Sequence, residues 1–229
     1  MNTGQVKEMF KSYTDESDTT FLTDAQINLY LSEGYNDFRR AVCDIDPFIY
    51  SIDFLFTMPD TGTFDLKEAV TQPDGAAVRL LDKTKILPAT AGKKLERLLR
   101  VARINDTINN QVIRYMDSSP SERNLNDFSY AFVNDKLITY SSGTLSYRLE
   151  YVPYHNVDFG VADDLIDHLE GFHGMIPLYA YSRYAIRDGG DNPQIRQEIM
   201  RRLADLKSYL ESGRSREGSQ YVTSYDYWY

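Results

Sequence analysis

Three histidines, one cysteine and 34 carboxylates are the side chains from which this 229-residue chain would have to build an active site. His168 and His173 stand five apart, whereas two imidazoles share a helical face and a metal ion at a spacing of four, so no metal site is expected. Surface or capping roles are expected for these two histidines. Asp163, Asp164 and Asp167 read as acids at a helix start, where the dipole and solvent favour them. Glycoside hydrolysis needs two opposed carboxylates, but 34 acids form such pairs by chance and none stands out. No G-x-S-x-G elbow, phosphate-cradling glycine loop or Cys-His signature occurs. No catalytic, cofactor-binding or metal residue is therefore assigned, and a carboxylate-dependent hydrolase is the remote alternative. Cys43 is the lone cysteine, on an amphipathic stretch. It reads as a buried structural thiol in a chain that works in a reducing compartment.

The chemistry that stands out is adhesive. Ser212 to Gln220 has linker composition, with two glycines and three serines. Five of the nine residues from 221 to 229 are aromatic, namely Tyr221, Tyr225, Tyr227, Trp228 and Tyr229. Solvated tails are poor in aromatics, and Tyr and Trp offer large contact areas with few rotors to freeze. These five are expected to dock, on a partner or back on the chain's own core. The net charge of -9 lacks the basic footprint of a nucleic-acid binder. No apolar run approaches the roughly 20 residues of a membrane span, and residues 1 to 14 lack the apolar core of a signal peptide.

The elements that would carry these residues follow from periodicity. Val6, Met9, Phe10 and Tyr13 predict a short first helix. Thr23 and Gln26 form a capping box, with Leu22 placed to staple onto Ile27. Ile27, Leu31, Gly34 or Tyr35, Phe38 and Val42 continue that second helix as one stripe, ending near Pro47. Phe48 to Phe56 reads as a strand, and residues 60 to 94 as a long loop or a pair of short strands. Leu95 to Ile104 reads as a strand or helical turn. Residues 130–133, 137–140 and 145–151 predict a three-stranded meander, whose last strand alternates Leu145, Tyr147, Leu149 and Tyr151 with Ser146, Arg148 and Glu150. Leu165, Ile166 and Leu169, and then Ile176 to Ala185, predict helices. Asp191 or Asn192 caps a last helix bearing Pro193 in its first turn and the stripe Ile195, Ile199, Leu203, Leu206 and Leu210. The expected fold is α+β, a helical bundle core with an inserted antiparallel β-rich region and an extended C-terminal tail. Its expected parts are N-terminal helices 1–47, β insertion 48–157, C-terminal helices 158–212 and tail 213–229.

This order of elements resembles the head-to-tail adaptor, or head-completion, proteins of tailed and particularly short-tailed bacteriophages. The resemblance rests on Phe21 to Ile27 leading into Gly34-Tyr35-Asn36-Asp37-Phe38. It extends to Leu98 to Ile104 before a meander ending Tyr147 to Pro153, and to a closing helix pair with Ile176-Pro177, Arg187 to Asp191 and Tyr209-Leu210. It implies a structural virion protein of the neck, assembled in the host cytoplasm. About twelve copies would form a ring, bound to the portal through Tyr221, Tyr225, Tyr227, Trp228 and Tyr229 and to a downstream tail or nozzle protein below. Double-stranded DNA would pass through without specific binding, and no cofactor or membrane is involved. A tail-tube or capsid-associated role is the nearer alternative.

Overall fold

The computed structural model describes residues 1–14, 22–73, 75, 77–78, 80, 95–104, 111–115, 129–133, 135–139, 145–155, 157–162, 164, 166–187, 190 and 192–216. The fold is α+β, and the chain divides into two compact units. One comprises Met1–Asp46 with Val157–Tyr229, the other Pro47–Asn156.

Among the described residues four helices build the first unit: α1 (Thr3–Tyr13), α2 (Asp24–Ile45), α3 (Met175–Arg187) and α4 (Pro193–Arg216). The starts of α1, α2 and α4 are dictated locally. Asn2 and Gln5 form a capping box on α1, and the Thr23 hydroxyl accepts from the Gln26 amide at 3.3 Å while the Gln26 side chain accepts from the Thr23 amide at 2.9 Å. For α4 the cap is Asn192, whose side chain accepts from Gln194 N–H at 3.1 Å and Ile195 N–H at 3.4 Å, leaving Pro193 where a missing donor costs nothing.

Side chains then lock the helices together. Val6 and Phe10 of α1 and Ile27, Leu31, Phe38 and Val42 of α2 are buried. Phe10, Tyr30 and Tyr184 meet with ring centroids 5.8 to 6.4 Å apart. At Gly34 the backbones nearly touch, because an added Cβ would lie 2.6 Å from the Ile176 carbonyl oxygen and 2.8 Å from the Ala180 nitrogen.

The helix expected around Leu165, Ile166 and Leu169 does not occur among the described residues. Leu165 lies outside the described residues, and Ile166 and Leu169 are buried on a strap, Val157 to His173, whose described residues are non-helical apart from a 3-10 turn at Glu170–Phe172. The Asp167 carboxylate accepts from the Leu169 amide at 2.8 Å, a local bond that competes with the helical ladder.

The second unit is a seven-stranded sheet in the order β1-β9-β5-β6-β7-β8-β2, with a separate β3-β4 pair. Its strands are β1 (Ile52–Met58), β2 (Thr63–Asp65), β3 (Val70–Thr71), β4 (Ala77–Val78), β5 (Leu95–Ile104), β6 (Gln111–Tyr115), β7 (Ser129–Val133), β8 (Lys136–Thr139) and β9 (Leu145–Pro153). Three expectations are corrected. Residues Pro47–Tyr50 form a 3-10 turn, closed by Ser51 N–H on the Phe48 carbonyl at 3.1 Å, so the strand begins only at Ile52. The third strand of the expected meander leaves its neighbour, since β9 pairs with β1 and β5 whereas β8 pairs with β7 and β2. And β6 pairs with β7 in parallel, an arrangement that the 13 residues separating them in sequence are long enough to connect.

The sheet rolls up. Its terminal strands in the pairing order, β1 and β2, bring Phe56 and Phe64 to a centroid distance of 4.4 Å. The inner face buries Phe54, Phe56, Met58, Val101, Leu137, Tyr147, Leu149 and Tyr151. The outer face carries a charge ladder, with Arg100 on Glu150 at 2.5 Å and Arg148 on Asp53 at 3.8 Å. At the edge of β1 the Gln72 amide donates to the Leu55 carbonyl and accepts from its N–H, both at 2.9 Å. It thus imitates one rung of a further strand.

Replacing Gly34 with Ala should lower stability to urea by about 1–3 kcal/mol through overpacking, even though alanine is the better helix former by about 1 kcal/mol. A stabilised Gly34→Ala protein would show that α2 and α3 have room between them.

Candidate functional site

The densest collection of chemically competent side chains lies inside the helical unit. Tyr35, Arg39 and Cys43 recur every fourth residue of α2, which places them on one stripe, and all three are buried. Facing residues come from the strap. His173 is fully buried, with Nε2 2.6 Å from an Asp167 carboxylate oxygen and Nδ1 3.2 Å from the Met1 carbonyl oxygen. A carbonyl only accepts, so Nδ1 carries a proton, and the Nε2 contact is a short bond within a nearly dry His–Asp pair. Phe38 packs its ring edge against the imidazole, at a centroid distance of 6.3 Å.

This reverses the surface alternative expected for His173, whose backbone N–H caps the 3-10 turn on the Glu170 carbonyl, and the solvated role expected for Asp167. Neither residue lies on a helix, so helical spacing held no information about their meeting. His168 is exposed, as expected.

Burial and, secondarily, the Asp167 charge push the Tyr35 hydroxyl up to about 12, with Arg39 opposing. At neutral pH it is a protonated donor that serves neither as base nor as nucleophile. His173 has both ring nitrogens engaged and no exposed surface. A groove of about 350 Å³ does reach the surface, but it is floored by Gly4, Phe159, Gly160 and Ala162 and walled by Lys7 and Lys11, none of which belongs to the cluster. The arrangement positions chain segments, and among the described residues the groove does not reach it. Among the described residues no group of three metal-ligating side chains converges.

The strap also holds α1 directly. The first amides of a helix have no intrahelical acceptor. Here Thr3 N–H donates to the Asp164 carbonyl at 3.2 Å and Gly4 N–H to the Ala162 carbonyl at 2.8 Å, while the Thr3 hydroxyl donates to the Val161 carbonyl. A Cβ on Gly4 would lie 2.8 Å from the Ala162 oxygen. On the far side of α2, Arg183 of α3 grips Asp37 through Nε at 2.6 Å and Nη2 at 2.8 Å and reaches Glu33 at 3.3 Å. Its hydrogen bonds to Asp37 raise its pKa above the usual arginine value.

The candidate docking residues Tyr221, Tyr225, Tyr227, Trp228 and Tyr229 lie outside the described residues. No protein-family model matches the chain, and no curated protein matches it. No described helix is long and apolar enough to cross a membrane.

His173→Ala would take the imidazole from a buried carboxylate, leaving Asp167 the Leu169 amide but no ring partner, and should destabilise the protein by about 3–5 kcal/mol in urea titration. An unchanged midpoint would mean that water already serves Asp167.

Tyr35 sets the sign of a pH effect. Its folded pKa is raised from 10.0 to about 12, so the folded state holds the proton longer than the unfolded one. The associated stability is full below pH 10 and is lost as pH rises toward 12. Tyr35→Phe should flatten stability against pH in that window relative to the parent, where burial of Tyr151 also contributes a raised tyrosine. Parallel curves for the two proteins would show that Tyr35 ionises without constraint.

Proposed function

We propose that this chain is a structural virion protein, a head-to-tail adaptor of a tailed bacteriophage that forms a ring of about twelve copies on the portal. The observation that carries the reading is where the resembling residues fall. Thr23 and Gln26 cap α2, Gly34 makes the closest backbone approach to α3, Tyr35 lies in the buried cluster, Asp37 holds Arg183, and Phe38 packs on His173. The stretch that resembles the adaptor proteins is thus the one on which the helical unit is assembled. Such a pattern suits a scaffold, in which identity is fixed by packing, better than an enzyme, in which it is fixed by a cleft.

In this reading the four helices form a bundle core, the β unit is an insertion facing the next tail or nozzle component, and the C-terminal segment extends to the portal. Tyr221, Tyr225, Tyr227, Trp228 and Tyr229 fill grooves there, as amphipathic aromatics do at interface centres. The chain's net charge of -9 favours a channel that lets double-stranded DNA pass without holding it. The site of action is the neck of the virion, after assembly in the host cytoplasm.

Cosedimentation with the portal encoded by the same genome tests this, with ring symmetry read by electron microscopy. Because α4 runs through Arg216, the informative truncation is after Gly218, which spares the helix. The intact chain should decorate the portal as rings and the truncated chain should not. Absence of portal binding by the intact chain would overturn the reading, and equal binding by both would remove the tail from it.

A further inference from the structure

The 24 residues of α4 make a rod about 36 Å long, yet among its described side chains the buried ones are Leu206 and Leu210, while Ile195, Ile199 and Leu203 are only half-buried. Residues 193–216 carry six cationic side chains against three carboxylates, a cationic excess in a chain whose net charge is -9. Arg196, Met200, Ala204 and Lys207 succeed one another along one exposed face, with Arg201 at its edge and Glu211 one turn further. Met200 is 65% exposed at the centre of that face. Arg201 and Lys207 bond within their own helix, to Glu198 and Glu211, and such surface pairs exchange partners at little cost.

The same unit carries a surface of opposite character. Val161 on the strap is 52% exposed and lies between the exposed acids Asp158 and Asp164, beside the groove of about 350 Å³ floored by Phe159, Gly160 and Ala162. Glu8, its side chain 74% exposed, stands on the rim. Lys7 and Lys11 on the wall are matched by Asp24 at 3.2 Å and Glu8 at 3.4 Å.

We infer that α4 of one copy docks on the strap and groove of the next, Met200 seated against Val161 and the groove floor, with Arg196, Arg201 and Lys207 facing Asp158, Asp164 and Glu8. A second copy is the occupant because acidic chains repel one another unless one face is reversed in sign, and here the reversed face and its complement belong to the same chain. Two different faces in contact make a heterologous interface, the only kind that closes into a ring of more than two around a single axis. The inference rests on the ring reading for that closure, whereas the contact itself is measurable alone.

The test uses Val161→Cys and Met200→Cys in the full chain with a short bis-maleimide, with and without the portal. Both sites are exposed, so folding should be unaffected, and the parent, whose Cys43 is buried, controls for the native thiol. The doubly substituted chain should give a ladder of linked copies. Each single variant should give none, and a mixture of the two single variants should stop at linked pairs. Arg196→Glu with Arg201→Glu should weaken the association about tenfold or more. Self-linking of one single variant would establish a symmetric contact and overturn the inference, as would absence of a ladder in both conditions. Portal binding without a ladder removes this contact and keeps the adaptor reading. A ladder without portal binding does the opposite.

Discussion

A buried carboxylate cannot be left alone in a protein interior, and much of the helical unit can be understood as the answer to Asp167. Its partner His173 is fully buried, so the pair has to be satisfied by protein groups. One ring nitrogen takes the carboxylate and the other takes the Met1 carbonyl. That second bond ties the first residue of the chain to the strap, and the strap in turn supplies carbonyls to the orphan amides of α1. With α1 so placed, Phe10 reaches Tyr30 of α2 and Tyr184 of α3. Removing one partner of a dry pair costs far more than the pair contributes by existing, so the cluster acts as a specification of geometry. It admits one arrangement of four segments distant in sequence.

The β unit is organised by a different term, the burial of aromatic area. Alternation in β1 and β9 puts Phe54, Phe56, Tyr147 and Tyr151 on one face, and a flat sheet would leave such a face wet. Rolling the sheet until β2 lies by β1 covers it, and the Phe56–Phe64 contact marks the seam. The unit's first and last long strands are also neighbours, Ile52 pairing with Tyr151. Chain entry and exit therefore lie side by side, which is the condition under which a domain can be inserted in another without straining it.

What the sequence made legible were features with a local cause. The capping box at Thr23, the α2 stripe through Phe38 and Val42, the alternation from Leu145 to Tyr151 and the Pro193 helix start are each settled within a few residues of themselves, and each is present. Features set by distant partners were not legible. His173 was read from its spacing to His168, but its position is decided by Asp167 and Met1. Ile166 and Leu169 had helical spacing, yet the carboxylate of Asp167 claims the Leu169 amide. The departure of β9 from the meander follows from the partners it gains in β1 and β5, a competition that turn residues do not record. Asp167 six residues ahead of His173 was the one available hint of the cluster, and it is a weak one, because 34 acids place a carboxylate near almost any histidine.

The same division between burial and exposure runs through the titratable groups. A catalytic cluster must combine perturbed groups with access, since pKa tuning has no effect on a substrate that cannot arrive. Tyr35 is perturbed by burial itself, so the condition that raises its pKa also removes it from solvent. The surface tells the complementary story. The groove beside α1 is open but lined by glycine, alanine and lysines already matched by Asp24 and Glu8, a surface suited to contact and poor in reactive groups. Exposed faces of opposite charge on one unit would serve the repeated association of identical copies inferred above, by steering and registering the contact.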